Sequence, residues 1–338
     1  MQTFRTVVVG AGGISGAWFP GLKAEEVEVA AVVDLKKENA EKRIKDFGLT
    51  TAMASTDLGK TLRKCKPDFV IDLTVPEAHC AVTVKALRAG YPVVGEKPMA
   101  ASMAEAKRMV KTSLATGKMY MVSQSRRWDP NTSTLHQTVA SGQIGQVTAV
   151  NCDFYIGAHF GGFRDEMPSP LILDMAIHHF DLVRYFTGAD PVSVYAREFN
   201  PSGSWYKGDA AASCIFEMSN GIVFTYRGSW CAEGCHTSWH GDWRIIGKQG
   251  TVLFEKDAVP HGQKVTGPAG FHSAMAPVEV KPVEVAKKGM HGGLCEMLAF
   301  LRDGKQPQTV CTDNIKSLAM VFAAIDSSRK GRKVAIAW

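Results

Sequence analysis

Four short stretches hold residue types whose spacing could do chemistry. Gly10-Ala11-Gly12-Gly13-Ile14-Ser15 follows the apolar run Thr6-Val7-Val8-Val9 and opens a helix-like stretch. A tight turn on the first glycine, close backbone approach at the second, and the amides and positive dipole end of a helix suit a dinucleotide pyrophosphate. Ser15 stands where a third glycine or an alanine is usual, and it is still small enough for close helix packing. Asp34 ends the second apolar run, 24 residues after Gly10, where a carboxylate can accept from the hydroxyls of the adenosine ribose. That carboxylate would repel a 2′-phosphate, so NAD is expected, while Lys36 and Lys37 keep NADP open. The plainer alternative is a bare tight turn with a helix-capping aspartate.

The second and third stretches, Thr74-Val75-Pro76-Glu77-Ala78-His79 and Gly95-Glu96-Lys97-Pro98, each follow an apolar strand. They therefore fall at the carboxyl edge of a sheet, where open α/β folds bind ligands. Thr74, Pro76, His79, Glu96 and Lys97 join the expected cofactor edge, and Lys97 can also donate to a substrate oxygen. His79 serves equally well as a helix-capping or ring-packing residue. The fourth stretch, Leu173-Asp174-Met175-Ala176-Ile177-His178-His179-Phe180-Asp181, starts a helix with Ser169 as cap and Pro170 in first position. Asp174 and His178 are four apart and share a helical face, with Asp181 close to the same stripe. A carboxylate that orients an imidazole is what a general base needs, and histidine returns its proton near neutral pH. His179 points off that stripe and reads as structural.

The elements that must position these residues come in two textures. Up to about residue 124, short β-branched runs (Thr6–Val9, Val27–Val33, Phe69–Leu73, Tyr91–Val94, Met119–Val122) alternate with helix-like stretches at Ile14–Lys23, Lys36–Phe47, Glu77–Ala89 and Met103–Thr116. Ser102 and Glu105 form a capping box, and Gly48, Gly90 and Gly117 stand where helices end. Such alternation predicts βαβ units and a parallel sheet covered on both faces. Beyond it, six strand-like runs between Gln146 and Phe254, with a hairpin turn at Asn220-Gly221, and helices at Thr132–Ala140, Pro170–Thr187, Gly292–Arg302 and Asp313–Arg329 predict an α+β domain on a mostly antiparallel sheet. Ala258–Val285, rich in Pro, Gly and Val, reads as a surface excursion. The expected fold is α/β, with a Rossmann dinucleotide-binding domain over 1–124 and a substrate-binding, oligomer-forming domain over 125–338.

Composition narrows the partners. The 338 residues carry 39 Lys and Arg against 33 Asp and Glu, a net charge of +6 spread along the chain. Its basic runs, Lys36-Lys37 and Lys287-Lys288, are shorter than the ~5–8 residues of a nucleic-acid patch, so no nucleic acid is expected. No apolar run approaches the ~18 residues of a membrane span, and Met1-Gln2-Thr3-Phe4-Arg5 leads straight into a strand with no room for a leader. The cytoplasm is the expected compartment, without membrane association. Eight cysteines in so long a chain form no disulfide framework. Cys231, Cys235 and His236 are the one cluster of metal-ligating types, with His240 nearby, but they lack a second pair at zinc spacing; reduced thiols and no metal are expected.

Taken in order, Gly10–Ser15, Thr74–His79, Glu96-Lys97-Pro98 and Asp174…His178…Asp181 resemble the Gfo/Idh/MocA family of nicotinamide-dependent sugar and polyol oxidoreductases. The likeness extends through Arg127, through Ser141-Gly142-Gln143-Ile144-Gly145 and to Ser328-Arg329-Lys330-Gly331-Arg332, so it spans nearly the whole chain. Two features depart from it: Met167-Pro168-Ser169-Pro170 and Ala176 stand where the family often has glycines. The resemblance implies that Lys97 stabilises alkoxide character on the reacting oxygen, that His178 takes the hydroxyl proton, and that Asp174 holds substrate and imidazole. It also implies a sugar pocket drawn from Arg127, Tyr155, Arg164, Trp205, Trp230, His236 and His291, and a homodimer or homotetramer. The implied reaction moves a hydride between a secondary alcohol of a sugar, polyol or glycoside and the nicotinamide. The alternatives are an NAD-dependent glycoside hydrolase that works by transient oxidation, and a binding or sensing protein that lost catalysis.

Overall fold

Strands buried at nearly every residue lie between neighbours that cover both faces, and the first strands of this chain do so. The computed structural model describes residues 3–338; Met1 and Gln2, the start of the stretch read above as leaderless, lie outside the described residues. In chain order come β1 (Arg5–Val9), α1 (Ser15–Ala24), β2 (Glu28–Val33), α2 (Lys37–Asp46), β3 (Met53–Ser55), α3 (Leu58–Cys65), β4 (Phe69–Asp72), α4 (Pro76–Arg88), β5 (Val93–Glu96), α5 (Met103–Thr116) and β6 (Tyr120–Ser123). Six parallel strands run β3-β2-β1-β4-β5-β6, the doubly wound order. Its direction reverses between β1 and β4, so the loops after these two strands open at the switch point. The expected capping box is present, with the Glu105 amide donating to Ser102 Oγ at 3.3 Å. The short β3 and α3 had no counterpart in the sequence reading. Asp57 caps α3 by accepting from the Lys60 amide at 3.0 Å.

The second sheet follows from α6 (Pro130–Ala140), β7 (Val147–Tyr155), α7 (Ile177–Thr187), β8 (Pro191–Phe199), β9 (Ala211–Met218), β10 (Val223–Ser229), β11 (Asp242–Gly247), β12 (Gly250–Phe254), β13 (His261–Ala269) and β14 (Ser273–Pro277). The chain closes with α8 (Gly289–Asp303), α9 (Cys311–Lys330) and β15 (Val334–Ala335). Nine strands pair as β14-β13-β12-β11-β7-β10-β9-β8-β15, antiparallel throughout except for β7 beside β10. The segment expected to be an irregular excursion, 258–285, instead supplies the β13–β14 hairpin at the sheet edge. Pro268 and three glycines within that segment break the alternation that would have announced it.

Alternation along β8 to β10 buries Val194, Phe216, Phe224 and Tyr226 and exposes Val192, Tyr195, Phe199, Ile215 and Val223 on the other face. Phe180 of α7 packs edge-on against Phe216, Phe224 and Tyr226. Each such buried side chain contributes roughly 1.5–3 kcal/mol, so this aromatic cluster fixes α7 on the sheet.

Two compact units divide the chain: residues through Trp128 with 286–315, and 129–285 with 316–338. This differs from the single boundary after residue 124 that the sequence suggested. The physical reason is α8, which packs against α1 and the short helical turn Ser125–Trp128. There, Cβ atoms on Gly292 would come within 2.6 Å of Trp128.

Ser169 was expected to cap the helix that carries Asp174. Its hydroxyl instead donates to Glu198 Oε2 at 3.3 Å, both groups being buried. Burial pushes the Glu198 carboxyl up to about 7, against the Ser169 bond and with the Asp209 charge adding to it. Folded Glu198 thus holds its proton up to a pH at which the unfolded side chain, near 4.5, has lost it. Stability from this group is complete below about pH 4.5 and disappears as pH rises through about 7, a loss of roughly 3 kcal/mol. Thermal unfolding of Glu198→Gln across this range should be flatter with pH than that of the unaltered protein; parallel curves would show that Glu198 is ionised in the fold.

Candidate active site

The glycine-rich turn is held from three sides. Gly10 has φ +98°, and a Cβ there would lie 2.6 Å from the Leu73 carbonyl carbon and oxygen. Glycine is therefore required where the turn after β1 crosses the backbone after β4. Gly12 and Gly13 have nothing within 4 Å of an added Cβ, so the loop presents bare backbone on its open side. Arg43 of α2 donates to the carbonyls of Ala11 (3.1 Å) and Gly12 (2.9 Å). Ser15, fully buried, donates to Gly12 O at 2.7 Å. The carbonyls are turned to protein donors, as a loop whose amides serve an anion requires.

Asp34 lies beside this turn. Its Oδ2 accepts from the Ala11 amide at 2.8 Å, and its Oδ1 from the Lys36 amide and Asn39 Nδ2, each at 3.0 Å. A carboxylate has about four lone-pair positions, so capacity remains on Oδ2 for a ribose hydroxyl. Burial raises the Asp34 carboxyl, but the Lys36, Ala11 and Asn39 bonds and the Lys36 charge together hold it below the usual aspartate range. It stays anionic at neutral pH.

The edge residues of β4 and β5 rest on two buried acids. Asp72 is fully buried; its Oδ1 accepts from Thr74 Oγ1 at 2.6 Å, and its Oδ2 from Thr83 Oγ1 at 3.0 Å. His79, 1% exposed, sets Nδ1 3.1 Å from Asp72 Oδ1 and 3.3 Å from Thr74 Oγ1. Its ring thus belongs to the packing of α4 on β4, and Pro76 opens that helix. Glu96 is 6% exposed and accepts from Trp18 Nε1 of α1 at 2.9 Å and from the Lys97 amide at 3.1 Å. Burial raises the Glu96 carboxyl, against the Trp18 bond and the Lys97 charge. The Lys97–Pro98 peptide is cis. Lys97 itself is half-buried at the end of β5. Gly10–Ser15, Asp34, Thr74, Glu96 and Lys97 are thus brought to one sheet edge of the first unit. Arg127 belongs to this unit too, but it is buried, donating to Gln308 O at 3.3 Å and pairing with Asp313 at 3.4 Å.

In the second unit, Asp174 and His178 straddle a change of helix type. Leu171–Ala176 winds as a wide π-helical turn before α7 begins at Ile177. Such turns often mark functional sites, and this one replaces the regular helical face from which Asp174 and His178 were read. Asp174 Oδ2 accepts from Arg164 Nε at 2.6 Å, with both side chains partly exposed. The Arg164 guanidinium in turn lies over the rings of Phe160 and Phe163, 4.9 and 4.7 Å from their centroids. Sequence reading put Arg164 among the pocket residues but gave no sign that it holds Asp174. His178 is 8% exposed, and His179 is fully buried among Phe154, Tyr226 and Trp243. Asp181 accepts from Ser317 of α9 at 2.9 Å.

Four of the remaining pocket candidates, Tyr155, Trp205, Trp230 and His236, gather on the segment 155–160, whose Phe160 ring lies under the Arg164 guanidinium and against Trp230. Tyr155 is half-buried, and burial raises its hydroxyl. Trp205 stacks on His159 at 3.7 Å and donates to Ala158 O. Trp230 is buried and stacked on Tyr206. His236 Nε2 accepts from the Gly157 amide at 3.2 Å. His291 belongs to the first unit, where it pairs with Glu25. Trp18, Arg43 and Asp72 were not singled out in the sequence: Trp18 and Arg43 act across 78 and 32 positions, whereas Asp72 bonds Thr74 only two residues on but ends a strand with no motif of its own.

A doubly wound sheet with a glycine-rich turn at its switch point, an acid at the end of the next strand and a lysine on the same edge suits a nicotinamide-dinucleotide oxidoreductase. Comparison with known proteins agrees. Residues 4–124 match the oxidoreductase family with the NAD-binding Rossmann fold, and residues 132–253 match the GFO/IDH/MocA C-terminal domain. The chain belongs to the Gfo/Idh/MocA family, and its first unit is an NAD-binding Rossmann domain. It is 30% identical to inositol 2-dehydrogenase 1 of Paenarthrobacter aurescens, over 66% of this chain and 66% of that one. It is 28% identical to D-apiose dehydrogenase of Rhizobium rhizogenes, over 80% and 79%. An oxidoreductase from Agrobacterium radiobacter, solved in complex with NAD+, L-tartaric acid and magnesium, shares the fold at a TM-score of 0.84 and 22% identity, over 99% of this chain and 98% of that one.

Asp34→Ser should erode the preference for NAD over NADP by removing repulsion of a 2′-phosphate. Because it also frees the Ala11 amide, affinity for both cofactors should fall, so the ratio from paired titrations is the quantity to read. An unchanged ratio would mean that another residue reads the ribose.

Proposed function

We propose that this oxidoreductase interconverts a secondary alcohol and a ketone on a sugar, polyol or glycoside, with NAD as cofactor. The observation that carries the reading is Lys97. It stands at the carboxyl end of β5 on a backbone held by Glu96, which is tied through Trp18 to the helix opened by the glycine-rich turn. A cation fixed on that edge suits an oxygen that gains negative charge. The activities of the inositol and D-apiose dehydrogenases make polyhydroxylated substrates the class to test first. The Gly10–Ser15 backbone and Asp34 would hold NAD, which when bound would supply the hydride acceptor.

The chain's own side chains do the rest. Lys97 donates to the reacting oxygen and favours its alkoxide character. His178 accepts the hydroxyl proton and returns it in the reverse direction. Asp174, fixed by Arg164, orients the substrate hydroxyl and the imidazole, and Tyr155 and Arg164 supply further substrate contacts.

Association follows from the outer face of the second sheet. Tyr195 and Ile215, paired across β8 and β9 and about half exposed, lie with Val192, Phe199 and Val223 on a face that a second copy would cover. A monomeric mass by light scattering at micromolar concentration would contradict a homodimer or homotetramer. Since all eight cysteines are free thiols, a reducing compartment such as the cytoplasm suits the protein.

A screen of polyols and sugars for nicotinamide reduction should find a substrate. On it, Lys97→Ala and His178→Ala should each lower turnover by about 10²-fold or more. Asp174→Asn should lower turnover while NAD affinity holds. Near-normal turnover in all three variants would refute the assignment.

A further inference from the structure

The first unit carries a second cluster of chemically capable side chains, remote in sequence from the glycine-rich turn. Glu25 follows the last residue of α1, with its amide bonded to Gly21 O. His291 and Cys295 lie four apart on α8 and so project from one face of that helix. His291 Nε2 is 2.7 Å from Glu25 Oε1, and the Cys295 thiol also bonds Glu25. All three side chains are half-buried, and one ligand atom from each lies within 4.8 Å of the others. The His291 ring lies directly against Gly21 of α1, 3.4 Å from where a Cβ on that residue would sit. The cluster therefore joins residues 266 positions apart.

One carboxylate oxygen, one imidazole nitrogen and one thiol sulfur form a mixed set that a borderline-soft divalent ion takes in tetrahedral geometry. Zinc sits ~2.0–2.2 Å from oxygen, ~2.0–2.1 Å from nitrogen and ~2.3 Å from sulfur. Tetrahedral ligands at those lengths are ~3.3–3.7 Å apart, so side-chain rotations of about an ångström would close the set. The backbone need not move. We propose that Glu25, His291 and Cys295 bind a zinc-class divalent cation, with water in the fourth position, and that the ion clips the end of α1 to α8. Binding is proton-balanced without any oxidant: the thiol gives up its proton to solvent, while His291 moves its ring proton from Nε2 to Nδ1 and presents the Nε2 lone pair. Lys287, whose Nζ lies 3.4 Å from Glu25 Oε1 and whose side chain is 45% exposed, is the cation that must swing aside. Its place beside the carboxylate shows that the position attracts positive charge.

The test uses the full-length, untagged, reduced protein after chelator treatment, titrated with Co2+ as a spectroscopic stand-in. A thiolate-to-cobalt charge-transfer band with tetrahedral d–d bands should saturate at one ion per chain. Cys295→Ser should abolish the charge-transfer band, and His291→Ala and Glu25→Gln should weaken affinity at least ~10-fold. Cys235→Ser, which removes the exposed thiol of the second unit, should change neither. Zn2+ should raise the melting temperature of the unaltered protein by several degrees and that of Cys295→Ser by none, with circular dichroism confirming that the variants fold. If a variant does not fold, the remaining two and the melting shift decide. No thiolate band, or one lost in Cys235→Ser and kept in Cys295→Ser, would overturn the proposal and leave the cluster as an ion pair beside a thiol.

Discussion

The crossing of two backbones at Gly10 is the constraint on which the rest of the first unit depends. The turn after β1 lies so close to the chain after β4 that one added carbon would overlap the Leu73 carbonyl. Only at that separation do the open side of the glycine-rich loop and the Thr74 segment share one edge. Arg43 and Ser15 then draw the loop's carbonyls toward protein, and Asp34 holds the Ala11 amide. Loss of any one of these would let the loop relax, but loss of Gly10 would part the two edges themselves.

Buried acids extend that order outward. Asp72 gathers Thr74, Thr83 and His79, while Glu96 gathers Trp18 and the Lys97 amide. A buried carboxyl is costly unless its oxygens are bonded, and each of these has partners on both oxygens. The cost of burial is thereby turned into a fixed position for the residues at the strand ends. In the second unit, Arg164 does for Asp174 what Trp18 does for Glu96, but at a partly exposed site stacked on Phe160 and Phe163.

Much of this was legible in the sequence because it is written in local patterns. The glycine-rich turn, Asp34, the Glu96-Lys97-Pro98 edge and the Ser102–Glu105 box each occupy a few adjacent residues or a strand end. Six strands of the second sheet, β7 to β12, were legible as runs in the same way. What could not be read acts over distance or breaks a period. Trp18 meets Glu96 from 78 positions away, and Arg43 meets Ala11 from 32. The β13–β14 hairpin hid behind glycines and a proline. Ser169 had the right residue type for a cap, but tertiary contact with Glu198 claimed its hydroxyl. The return of 286–315 to the first unit depends on packing at Gly292, which no boundary drawn on composition can show.

In the proposed reaction, substrate hydrogen leaves carbon as hydride and ends on the nicotinamide. A polyol or sugar substrate carrying deuterium on the reacting carbon tests it most directly. Mass spectrometry of the cofactor after turnover should find the label on the reduced nicotinamide, in step with net reduction and with ketone formation. Turnover that leaves the label in the product, or that releases product with no net reduction of NAD, would contradict the account and point to a different use of the same fold.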